Sequence, residues 1–79
     1  MLQPNYKSAT EHMLSAYCGH RFKYSFPHNN SFEDVILCRT KTKRLFFRSA
    51  KNEKLAYMIL SRGRVIFDDM PDMIYYLNL

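Results

Sequence analysis

The sequence predicts one small α+β domain: an N-terminal helix, an antiparallel β-meander of about five strands and a short C-terminal helix. Three observations carry that prediction. Residues 8–19 combine a helix-start pattern, apolar residues at helical spacing and a closing glycine. Residues 21–67 hold aromatic and β-branched runs separated by polar or glycine-containing connections. Residues 69–72 read Asp-Met-Pro-Asp, the kind of opening that starts a helix.

Ser8-Ala9-Thr10-Glu11 has the form of a capping box, in which a hydroxyl and a carboxylate satisfy free amides at a helix start. Leu14, Tyr17 and Cys18 follow at helical spacing, and Gly19 stands where a left-handed cap belongs. A helix is expected over about 9–18. Next, Arg21-Phe22-Lys23-Tyr24-Ser25-Phe26 alternates strictly, so Phe22, Tyr24 and Phe26 share one face of a half-buried strand. Pro27 ends it, since proline donates nothing to a ladder.

In 31–40, Ser31 and Asp34 have the chemistry of a helix cap, but Val35-Ile36-Leu37-Cys38 is better suited to a buried strand, and a strand is expected over 34–40. A loop at 40–43 then leads to a strand at 44–48. The run Leu55-Ala56-Tyr57-Met58-Ile59-Leu60 is apolar throughout, and periodicity alone separates neither strand from helix there. Ser61-Arg62-Gly63 between it and Arg64-Val65-Ile66-Phe67-Asp68 favours a hairpin of two strands. Finally, Asp69 as cap, Pro71 in the first turn and Asp72 near the positive end of the dipole predict a terminal helix with Met73, Ile74, Tyr76 and Leu77 facing inward.

Composition bounds the function. The chain has 79 residues, 47% of them hydrophobic and 15% aromatic, which is enough for a packed interior and argues against disorder. No apolar run approaches the roughly 20 residues of a membrane span, and the opening MLQPNYKSATEH is too polar for a signal peptide. Two cysteines, Cys18 and Cys38, are too few for a disulfide framework and are expected as free thiols. A cytoplasmic location and no membrane partner follow as expectations. A small domain without staples also leaves room for a homodimer.

The net charge of +5 is unevenly spread. Residues 39–67 carry nine of the twelve Lys and Arg residues and a single acid, Glu53. Phosphate backbones are bound by several cations on one surface, because affinity comes from neutralising successive charges and releasing their counterions. Alternation places Arg44, Phe46 and Arg48 on one face of a strand, an aromatic between two cations, which suits base stacking. The plain alternative is a solvated hairpin face with Phe46 covered. Arg39, Lys41, Lys43, Arg44, Phe46, Arg48, Arg62 and Arg64 are the candidate contacts for DNA or RNA, or for an acidic partner protein.

Other constellations are weaker. The Phe22, Tyr24, Phe26 row resembles a base-stacking platform only in composition, and an aromatic stripe at strand spacing belongs first to a core. Cys18, His20, His28 and Cys38 are zinc-ligand types without the paired knuckles that hold two ligands together. Asp68, Asp69 and Asp72 could bind Mg²⁺, but strand ending and helix capping account for them. No nucleophile motif accompanies His12, His20 or His28, and two glycines make no phosphate loop, so neither catalysis nor a cofactor is expected. The leading expectation is a non-enzymatic nucleic-acid-binding module. A compact protein-binding regulator or inhibitor is second, and a small ribonuclease or toxin third.

Overall fold

The computed structural model describes residues 6–79. It overturns the helix–meander–helix expectation. Seven strands form one mixed sheet in the order β1-β7-β6-β2-β3-β4-β5, and the single α-helix among the described residues has five residues. The strands are β1 (Tyr6–Ala9), β2 (Arg21–Ser25), β3 (Glu33–Arg39), β4 (Leu45–Ser49), β5 (Ala56–Tyr57), β6 (Arg64–Phe67) and β7 (Ile74–Leu77), with helix α1 at Glu11–Ser15.

The helix is shorter than expected because its start is used twice. Ser8 and Ala9 belong to β1, which runs parallel to β7 with Ala9 beside Leu77. The cap is therefore Thr10, not Ser8: its hydroxyl accepts from the Met13 amide at 3.3 Å. Glu11 follows in the first turn, where a negative charge is favoured. Ala16 closes the helix, and Gly19, at φ 91, feeds the chain into β2.

Strands β2, β3 and β4 fall close to their expected places and pair in order, with Phe22 opposite Val35 and Leu37 opposite Phe47. The expected hairpin between 55–60 and 64–68 does not form. Only Ala56 and Tyr57 are paired, and their partner is β4, whereas β6 lies between β2 and β7. After Tyr57 the backbone leaves the ladder because a side chain satisfies it instead. The buried Tyr24 hydroxyl donates to the Met58 carbonyl and accepts from the Leu60 amide, each at 3.1 Å. Gly63 completes the crossing, since a Cβ there would stand 2.8 Å from the Tyr24 ring.

The expected C-terminal helix is also replaced. Asp69 to Asp72 form turns, and Ile74–Leu77 is a strand between β6 and β1. A helix as short as the expected one is marginal in isolation. Alternation in Ile-Tyr-Tyr-Leu buries Tyr75 and Leu77 while exposing Tyr76, which is the strand period.

One face of the sheet holds the core. Phe22, Tyr24, Val35, Leu37, Phe47, Val65, Phe67, Tyr75 and Leu77 are buried on it, and α1 adds Leu14. An aromatic chain crosses the interior from β7 to β5: Tyr75 on Phe67 at 4.8 Å, Phe67 on Phe22 at 4.8 Å, Phe22 on Phe47 at 5.5 Å, and on through Tyr24 and Phe26 to Tyr57. The Phe22/Tyr24/Phe26 row is thus interior packing. Among the described residues no helix is long and apolar enough to cross a membrane.

Candidate nucleic-acid interface

The second face of the sheet carries Arg21, Lys23, Arg48 and Arg64. Registers fix its rows. Arg48 lies opposite Ile36, and Ile36 opposite Arg21, so these three side chains form one line across β4, β3 and β2. In the neighbouring row Phe46 stands beside Cys38, and on the other side Asp34 stands beside Lys23 and Lys23 beside Ile66. Further along, Ser25 faces Arg64 and Arg64 faces Tyr76. α1 packs on the opposite side, leaving Arg21, Lys23 and Arg48 exposed and Ile36, Cys38, Phe46 and Ile66 half-buried.

The eight candidate residues divide. Phe46, Arg48 and Arg64 share this outer face, with Lys41 and Lys43 exposed in the turn that joins β3 to β4. That turn is closed by a Lys43 amide bond to the Thr40 carbonyl at 2.9 Å, with Lys43 at φ 66. Arg39 belongs to the other parity, and its guanidinium donates to the Ser15 carbonyl at 3.1 Å, at the end of α1. Arg62 lies in the turn before β6, its amide bound to the Leu77 carbonyl, at the Ser25 end of β2 rather than the Arg21 end. Arg44 and Phe46 line a groove with Glu11, Leu14, Leu45, Met58, Ile59 and Leu79.

The cations also differ in freedom. Arg64 is half-buried and committed: its guanidinium donates to the Ser25 hydroxyl at 2.9 Å and the Asn29 carbonyl at 2.7 Å, and it lies 5.2 Å over the Phe32 ring. Lys23 pairs with Asp34 at 2.9 Å, and this ammonium holds the Asp34 carboxyl below its ordinary range. Arg21 and Arg48 have no side-chain hydrogen-bond or ion-pair partner among the described residues, and neither do Lys41 and Lys43. Arg21 and Lys23 were not among the candidates. Their alternation with Phe22 and Tyr24 carried half the signal, and only the β2–β3–β4 register shows that they line up with Arg48.

Among the described residues no group of three or more His, Cys, Asp or Glu is placed to hold a metal ion. Asp68 lies 3.4 Å from His20 and Asp69 accepts from Tyr17 at 3.1 Å, so both acids have local partners. Partial burial, and next the Asp69 carboxylate, raise the Tyr17 phenol above its usual range. Both cysteines are free thiols. No protein-family model, curated protein or solved structure matches the chain.

Proposed function

We propose that the chain is a non-enzymatic nucleic-acid-binding module of the cytoplasm whose contact surface is the outer face of β2–β3–β4 together with the β3–β4 turn. Arg21 and Arg48 grip phosphates on either side of Ile36, and Lys41 and Lys43 extend the track beyond the strand ends. Lys23 contributes less, because Asp34 already offsets its charge. Arg64 and Arg39 are structural, Arg62 lies away from the row, and Arg44 and Phe46 border the groove.

The observation that supports this reading is the Arg48–Ile36–Arg21 line on an exposed sheet face: two unpaired guanidinium groups held by rigid strands, two strands or roughly 10 Å apart. Rigid presentation matters because ordering a long cation costs side-chain entropy, and a strand prepays the backbone share of it. Half-buried Ile36 between them gives a low-dielectric floor on which charge–charge attraction is strengthened.

The test is binding of fluorescent single- and double-stranded oligonucleotides across a salt series. Affinity falls steeply with salt, and Arg21→Ala, Arg48→Ala and Lys43→Asn each reduce the slope of log K against log salt by about 1. Asparagine is chosen at 43 because it tolerates the left-handed backbone while removing the charge. Arg62→Gln leaves the slope unchanged. Absence of binding at low salt overturns the reading, and recovery of a stoichiometric acidic protein from nuclease-treated lysate, lost in Arg21→Ala, assigns the same face to a protein instead.

A further inference from the structure

The groove beside β4 is not used by the basic face and has its own chemistry. It opens where β5 ceases to pair, so the edge of β4 at Leu45 and Phe46 faces the 58–60 segment. Its lining is apolar: Leu14, Leu45, Phe46, Met58, Ile59 and Leu79. Several large apolar side chains at and beside it are open to solvent, with Met58 73% exposed, Leu79 50% and the neighbouring Leu60 36%. Scattered exposed leucines need no explanation, but large apolar side chains exposed together at one concavity are a common mark of an interaction surface.

The two charged residues of the rim identify the occupant. Glu11 and Arg44 both line the groove, and neither has an ion-pair partner among the described residues. A polyanion is opposed by Glu11, and a basic segment is opposed by Arg44. A second copy of the same chain satisfies both, because in a two-fold interface residue i of one copy meets j of the other and j meets i. The apolar parts are self-complementary in the same way, since the protruding Met58 and the cavity belong to one patch.

We propose that this groove is an isologous homodimer interface, in which Met58 of each copy enters the partner's groove and Glu11 of each copy pairs with the partner's Arg44. The inference is independent of the nucleic-acid reading, because it uses the groove and not the Arg48–Ile36–Arg21 line. Its consequence is a particle with two basic faces, each carried on the same sheet that builds the interface.

Sedimentation equilibrium of the full chain over a wide concentration range is the test. The wild type is expected to associate to a dimer, and Met58→Asp to sediment as a monomer with an unchanged circular dichroism spectrum. The rim gives a second arm. Glu11→Arg and Arg44→Glu each place like charges across the two-fold and weaken the dimer by about tenfold, whereas the double variant, which merely exchanges the two charges, returns to near the wild-type constant. A wild type that stays monomeric at every concentration overturns the proposal, and so does a double variant weaker than both single ones or a dimer indifferent to Met58→Asp.

Discussion

The Tyr24 hydroxyl stands 3.1 Å from the Leu60 amide and 3.1 Å from the Met58 carbonyl, so one side chain of β2 anchors the segment that links β5 to β6. Burial raises the phenol above its ordinary range, and the Leu60 amide bond opposes that rise in part. Tyr24→Phe keeps the ring packing on Phe26 and Phe47 but leaves both backbone groups without this partner. The expected loss is about 1–3 kcal/mol of unfolding free energy, read by urea denaturation. A neutral result would mean that water replaces the hydroxyl.

Gly63 makes the same crossing possible from the other side. A methyl group there would meet Tyr24 Cε1 at 2.8 Å, the Leu60 carbonyl oxygen at 3.0 Å and the Ser25 carbonyl oxygen at 3.2 Å. Tyr24 is fully buried and two of the three neighbours are backbone, so none gives way cheaply. Gly63→Ala is expected to cost about 1–3 kcal/mol, the range of overpacking, measured by the same denaturation. Gly19→Ala meets no atom within 4 Å and differs in cause: its φ of 91 charges any side chain for the left-handed backbone, about 1–2 kcal/mol.

These two contacts explain why the path after β5 was not legible in the sequence, while β2, β3 and β4 were. Strands β2, β3 and β4 announce themselves through local alternation and neighbouring turns, and they pair with the next strand in sequence. The path from Leu55 to Gly63 depends on a hydroxyl more than thirty residues away, which no window reports. β1 and β7 are further apart still, and their parallel pairing joins the two ends of the described chain. Ser8 and Asp69 looked like caps because each has capping chemistry, but tertiary pairing outcompeted a weak local helix at both places.

The Lys23–Asp34 pair gives the outer face a pH signature. The Asp34 carboxyl is held below its ordinary range, chiefly by the hydrogen bond from Lys23 and then by its charge. A carboxyl lowered in the folded state contributes stability that is present above the unfolded pKa and is lost as pH falls through the folded one. Both side chains are substantially exposed, 58% for Lys23 and 42% for Asp34, so the contribution is under about 1 kcal/mol. Lys23→Met should therefore lower the melting temperature slightly at neutral pH, with the difference from wild type vanishing near pH 2. A difference that persists in acid would assign the effect to the lysine stem instead.

The candidate site was half legible for a related reason. The density of cations between Arg39 and Arg64 is visible in the sequence, but freedom is not. Arg64 and Arg39 are consumed by carbonyl oxygens of Asn29 and Ser15, residues brought near only by the fold. Arg21 gains its place from the register that sets it beside Ile36 and, through it, Arg48.

The C-terminal strand offers the sharpest contrast between the expected helix and the observed sheet. The expected helix would turn Met73, Ile74, Tyr76 and Leu77 inward, whereas the strand buries Tyr75 at 7% exposure and leaves Tyr76 41% exposed. Tyr75 packs edge-on against Phe67 at 4.8 Å and its hydroxyl reaches the Met70 sulfur at 3.4 Å. Tyr75→Ala removes a core aromatic ring and is expected to cost about 3–5 kcal/mol, enough to threaten folding of so small a domain. Tyr76→Ala alters a more exposed position and is expected to cost less than Tyr75→Ala. If Tyr75→Ala unfolds outright while Tyr76→Ala folds, the order is already decided, and Tyr75→Phe should retain most of the stability. Alanine costs in the reverse order would restore the helix, because they would place Tyr76 rather than Tyr75 against the core.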